Sequence, residues 1–134
     1  MSEQDIRWKQ RYQQFSRAFS LLRDAMAVDS PTVLERAGII QFFEMAFELS
    51  WKLLKDYLEA EGYNVRSPRE AIKQAFQIGL IENGHEWMAA LSDRTLTTHT
   101  YNEATAQVVE KKIRDSYYPL LQQLHRRFSR KVAE

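Results

Sequence analysis

Trp8, Tyr12, Phe15, Phe19, Leu22 and Met26 recur at intervals of four, three, four, three and four residues, the apolar stripe of a first amphipathic helix. Ser30-Pro31 reads as an N-cap followed by a proline at N1, opening a second helix that Gly62 stops. Ser67-Pro68-Arg69-Glu70 reads as a capping box with proline at N1 and starts a third helix, ending near Gly79. A fourth is expected over about Glu86 to Leu96. The last runs from Glu103 to about Phe128 along Val109, Ile113, Tyr117, Leu120, Leu124 and Phe128, with Pro119 expected to kink it. The pattern is all-α and predicts a single domain over residues 1–134, an antiparallel bundle of about five helices.

The second helix carries two apolar stripes. At 100° per residue, Ile40, Phe43, Phe47, Trp51, Leu54 and Leu58 fall within about 80° of one another, while Phe42, Met45, Leu49, Leu53 and Tyr57 cluster on the opposite side. Gln41, Glu44, Glu48, Lys52, Lys55 and Glu59 fill the one polar strip, with Glu48 and Lys52 at i, i+4. Such a helix is either the centre of its bundle or shared between its own core and a second subunit, and in so small a bundle the second option is slightly favoured. A homodimer is therefore expected.

A chain of 134 residues needs no covalent staples, and it contains no cysteine. Disulfides and cysteine-bound zinc are excluded, and the default expectation is a cytoplasmic protein. No apolar run approaches the roughly 20 residues that span a bilayer, and the start of the chain lacks the pattern of a signal peptide, so no membrane association is expected. The net charge of +1 argues against a protein that coats duplex nucleic acid. Basic residues do gather at the end, where Arg126, Arg127, Arg130 and Lys131 face Glu134 alone. The favoured reading of these is a solvated helix end, with contact to RNA phosphates as the alternative. Glycine-rich phosphate loops, nucleophile elbows and zincin motifs are missing. His85 reads as part of a turn, His125 as a complement to a helix C-terminus, and three scattered histidines predict no metal site and no cofactor.

Chemistry concentrates in Ser92-Asp93-Arg94-Thr95-Leu96-Thr97-Thr98-His99-Thr100-Tyr101-Asn102-Glu103. Successive threonines compete for the backbone, so a break is expected near Thr97-Thr98. Thr100 and Glu103 read as a capping box that would put Tyr101 at the first position of the last helix and His99 at its N-terminus. The amides and dipole there suit a phosphate and favour a neutral imidazole. In a continuous helix Arg94 and His99 would stand about 140° apart, so they converge on one phosphate only if the helix breaks or two subunits contribute.

This segment resembles the Arg-x4–6-His signature of the HEPN superfamily, in the Arg-x4-His-x-Tyr form of the nucleotidyltransferase substrate-binding family that includes the HepT toxins. The resemblance extends to the aromatic-rich second helix around Phe42 to Lys52, the Ser-Pro-Arg-Glu-Ala-Ile cap and the long final helix. It departs at Thr95, where the family usually has a polar residue, most often Asn, and at Asn102, where an acidic residue is common. What the resemblance implies is a dimeric, five-helix, metal-independent endoribonuclease whose two motifs face each other across the interface. Arg94 and His99 would be catalytic, with Asp93, Thr95, Thr98 and Asn102 in support. The implied partner is a minimal nucleotidyltransferase that silences the toxin by transferring AMP to Tyr101. Two alternatives are a non-catalytic subunit that presents a substrate to the nucleotidyltransferase, and a helical dimeric interaction module.

Overall fold

The computed structural model describes residues 2–134. Its helices are α1 (Glu3–Ala25), α2 (Val33–Ala60), α3 (Pro68–Gln77), α4 (Gly84–Asp93), α5 (Glu103–Lys112) and α6 (Tyr118–Ala133). A 3-10 helix, Arg94–His99, follows α4, and a π-helical turn, Ile113–Tyr117, joins α5 to α6, so these two form the single long last helix of the sequence pattern. No strand occurs among the described residues, and no helix among them is long and apolar enough to cross a membrane.

Local chemistry sets the boundaries, with four corrections to the sequence reading. The N-cap of α2 is Thr32, not Ser30. Thr32 Oγ1 accepts from the Glu35 N–H at 3.1 Å and Glu35 returns the bond to the Thr32 N–H at 2.9 Å, whereas three residues beyond Ser30 stands Val33, which cannot reciprocate. Ser67 caps α3 as expected, but Glu70 reaches back to the Arg66 N–H at 2.7 Å, one residue earlier than a capping box requires. α4 begins at Gly84 and ends at Asp93, not at Leu96. A Cβ at Gly84 would meet the exposed Phe76 ring at 3.0 Å, so any other residue there requires that ring to shift. Finally, the disturbance caused by Pro119 lies one turn before it. Proline cannot donate to the carbonyl four residues back, and the helix widens instead, with the Tyr118 N–H donating to the Ile113 carbonyl.

α2 is the central helix. α1 lies antiparallel to it, with Arg11 Nε on Asp56 Oδ2 at 2.9 Å. α6 runs alongside it in the same direction, Tyr117 stacking on Phe43 and Phe128 meeting Tyr57 edge-on. Phe43, Phe47, Leu54 and Leu58 of one stripe are buried, whereas of the other only Leu53 is, with Phe42, Leu49 and Tyr57 half-buried. What stays open on α2 is Val33 and Leu34 in its first turn and, on the second stripe, Met45, 37% exposed, beside half-buried Phe42 and Leu49.

His125 does not complement a carbonyl end. Its ring stacks on Phe19 at 4.6 Å and its Nε2 meets Ser16 Oγ at 2.9 Å, which places it in the α1–α6 interface, where burial and then the charge of Arg23 push its pKa down.

An ionic cluster ties α5 to the loop before α2. Arg36 bonds Glu103 and, at 2.7 Å, Glu110, while Arg114 holds Glu110 at 2.7 Å and the carbonyls of Met26 and Val28 at 3.0 and 2.6 Å. Burial by itself would raise the Glu110 carboxyl, but the two arginines together outweigh it and hold the pKa below the usual range. A depressed carboxylate pKa gives stability that is present above the unfolded value of about 4.3 and lost as pH falls through the lower folded value. Glu110→Gln is expected to destabilise the protein by about 2 kcal/mol at pH 7. The gap from wild type should narrow as pH falls below 4, read as melting temperature against pH.

Candidate functional site

The motif segment is shaped by its threonines. Thr95, Thr97, Thr98 and Thr100 each donate a hydroxyl to the carbonyl three residues back, on Ser92, Arg94, Thr95 and Thr97, at 2.6 to 3.0 Å. A hydroxyl bonded at i−3 suits a 3-10 turn, and the expected break near Thr97-Thr98 takes the form of this tighter helix.

The segment is fixed at its start. Asp93 accepts from Tyr117 Oη and, at 3.0 Å, from Lys112 Nζ. Burial of Tyr117 first, and then its bond to Asp93, push the phenol far up from its ordinary pKa, so it stays a donor. Arg94 turns the other way, toward α2, where its Nη1 meets Glu48 Oε2 at 3.2 Å. Glu48 also faces Lys52 at 3.8 Å. Arg94, Thr95 and Thr97 line an open groove with Gln41, Glu44 and Met45. His99 stands at the other end of the 3-10 helix from Arg94, exposed and beside Tyr101.

The helix that follows starts later than the Thr100–Glu103 capping box predicts. Asn102 is the N-cap, accepting from the Ala104 and Thr105 N–H groups at 3.0 and 3.3 Å, while Glu103 turns to Arg36 and Thr100 bonds backward. Tyr101 therefore precedes the cap and His99 closes the 3-10 helix. Two of the amides expected to cradle a phosphate are already occupied by Asn102. The reason lies in the chemistry of the cap: an Asx carbonyl oxygen serves two amides, and Glu103 has a stronger partner in a guanidinium. His99 and Tyr101 point outward. Tyr101 is 86% exposed, and the two rings meet edge-on at 6.2 Å.

Glu48, Tyr117 and Lys112 were not legible as site residues. Glu48 showed itself only as the i, i+4 partner of Lys52, and Tyr117 only as one apolar position in the last helix. Their contacts with the motif cross 46 and 24 residues of sequence. Among the described residues no three His, Asp or Glu side chains converge to hold a metal ion.

Comparison with known proteins places this architecture. Residues 10–130 match the family model described as nucleotidyltransferase substrate binding protein like. A Haemophilus influenzae protein described as a probable ribonuclease HepT is 33% identical over 99 residues, covering 68% of each chain. A crystal structure from Thermus thermophilus superposes with a TM-score of 0.76 at 34% identity, over 82% of this chain and 94% of that one. A Haemophilus influenzae structure, described as revealing the fold of a substrate binding domain of a nucleotidyltransferase, superposes with a TM-score of 0.77 at 26% identity, over 86% and 96%. The protein belongs to the nucleotidyltransferase substrate-binding family of HepT-like HEPN proteins.

Proposed function

We propose that this protein is a metal-independent endoribonuclease of the HepT type, acting as a homodimer in which Arg94 of one protomer and His99 of the other share one RNA phosphate. The observation that carries this reading is the motif turn itself. All its threonine hydroxyls are tied to its own backbone, and the polar side chains it sends outward without a hydrogen bond are His99 and Tyr101, while Arg94 pairs with Glu48. Similarity to a protein described as a probable ribonuclease HepT supports this reaction class.

The chemistry needs no cofactor. The ribose 2′-OH attacks the adjacent phosphorus, the bond to the 5′ oxygen breaks, and the products are a cyclic phosphate and a 5′-hydroxyl. DNA, lacking the hydroxyl, is spared. His99 takes the proton from the nucleophile or supplies one to the leaving oxygen, and Arg94 exchanges Glu48 for the phosphate and offsets the charge that develops. A partner minimal nucleotidyltransferase silences the enzyme. Tyr101 Oη attacks the α-phosphorus of ATP, loses its proton and releases pyrophosphate, leaving an anionic AMP group beside His99 that competes for the substrate position.

A second reading, a non-catalytic subunit that presents substrate to the nucleotidyltransferase, is favoured by Thr95. Its hydroxyl is committed to the Ser92 carbonyl at 2.9 Å and offers nothing to a substrate.

Each of His99→Ala and Arg94→Ala should lose RNA cleavage, by about 10²–10⁴-fold for the histidine, with circular dichroism and dimerisation unchanged. Full activity in His99→Ala would remove the nuclease reading. With the nucleotidyltransferase, ATP and magnesium, mass spectrometry should find AMP on Tyr101 and the modified protein should cut poorly, whereas Tyr101→Phe should cut and resist silencing. Light scattering should give a dimer at tens of micromolar, and Met45→Glu, on the open part of α2, should weaken it. A monomer at that concentration would overturn the shared site.

A further inference from the structure

Gln123, Arg126, Arg127 and Arg130 fall at i, i+3, i+4 and i+7, on one face of α6. That face lines a cleft of about 200 Å³ with the turn Leu80-Ile81-Glu82 and with Trp87 of α4. Arg11, Arg36, Arg94 and Arg114 elsewhere in the chain all hold carboxylates. In contrast, none of the guanidinium groups of Arg126, Arg127 and Arg130 makes an ion pair or a hydrogen bond among the described residues. Glu82 shares the cleft and pairs with none of them. Three cations crowded on two turns of helix repel one another, and a ligand that neutralises them would stabilise the face.

We propose that this cleft binds the phosphodiester backbone of single-stranded RNA, as a second contact remote from the motif; the inference rests on the ribonuclease reading. The apolar residues lining the cleft are at most 5% exposed, so it offers charge without the open apolar centre that a protein partner would need. Guanidinium forks match phosphate oxygens, and a basic groove that tracks a backbone is how single strands are held irrespective of sequence. The cleft lies further along the last helix from Tyr117, which anchors the start of the motif. α4 meets the π-helical turn, Asp93 bonding Tyr117, and its Trp87 shares the cleft with Leu120 of α6. Arg126 and Arg130 lie about 14 and 20 Å beyond Tyr117 along the helix.

The test measures binding of a labelled 20-nucleotide single-stranded RNA to full-length His99→Ala protein, so that binding is read without cleavage. Adding Arg126→Gln, Arg127→Gln and Arg130→Gln should weaken binding on the order of ten-fold or more and lower the slope of log K against log salt by about 2. Arg127 is half-buried, so the double variant Arg126→Gln/Arg130→Gln is measured beside it, and Glu82→Gln should tighten binding. Unchanged affinity and salt slope in the folded variants would overturn the proposal, as would intact RNA binding combined with lost binding of the purified nucleotidyltransferase. The two readings fail separately. A wild-type protein that does not cut RNA removes the nuclease while groove binding stands, and a cutting protein whose groove variants bind RNA undiminished removes only the groove.

Discussion

The geometry of the motif depends on Asp93, the last residue of α4, and on the bonds that its carboxylate accepts from Tyr117 and Lys112. Tyr117 comes from the distant end of the π-helical turn and is itself packed on Phe43 of the central helix. The start of the motif is thereby fixed to the core through one buried phenol. Burial and the carboxylate both oppose ionisation of that phenol, so the donor is maintained across the physiological pH range.

The π-helical turn connects this anchor to the sequence. Pro119 withholds one backbone donor, and the extra residue accommodated in the preceding turn changes the register of everything after Ile113. Tyr117 is thereby presented to α4 and the face of α6 beyond it to α1 and to the cleft at Trp87. Beyond Asp93, the four threonine hydroxyls tighten the chain into a 3-10 helix, which sends Arg94 toward Glu48 and leaves His99 and Tyr101 in solvent. A continuous α-helix would have placed the arginine and the histidine on opposed sides of one element. In the observed turn Arg94 pairs with Glu48 while His99 stands beside Tyr101, and the proposed site brings the two together across two chains.

The fold was largely legible because α1, α2 and α6 bury long stripes of period 3.6 that only helices produce. The glycines at 62 and 79, at φ +94° and +77°, end α2 and α3 where the sequence indicated. Boundaries were less legible where two cap residues compete, as at Ser30 and Thr32 or Thr100 and Asn102, because the winner is decided by which partner lies within reach. Arg94, His99 and Tyr101 could be singled out from local spacing and a family resemblance. Glu48 and Tyr117 could not, since an acid on a polar strip and an aromatic on an apolar stripe carry no sign of the tertiary partner they will meet. Of the double stripe of α2, this chain buries most of one side, while on the other Met45 is exposed and Phe42, Leu49 and Tyr57 are half-buried.

The most direct test of the central claim, that Arg94 and His99 act across two chains, mixes two inactive proteins. Arg94→Ala and His99→Ala protomers carrying different tags are co-expressed, the mixed dimer is purified through both tags, and its RNA cleavage is compared with wild type. One intact Arg94 and one intact His99 then lie on opposite protomers, and the mixed dimer is predicted to recover about half of the wild-type rate. A mixed dimer as inactive as either parent, beside a wild-type protein that cuts, would contradict the account.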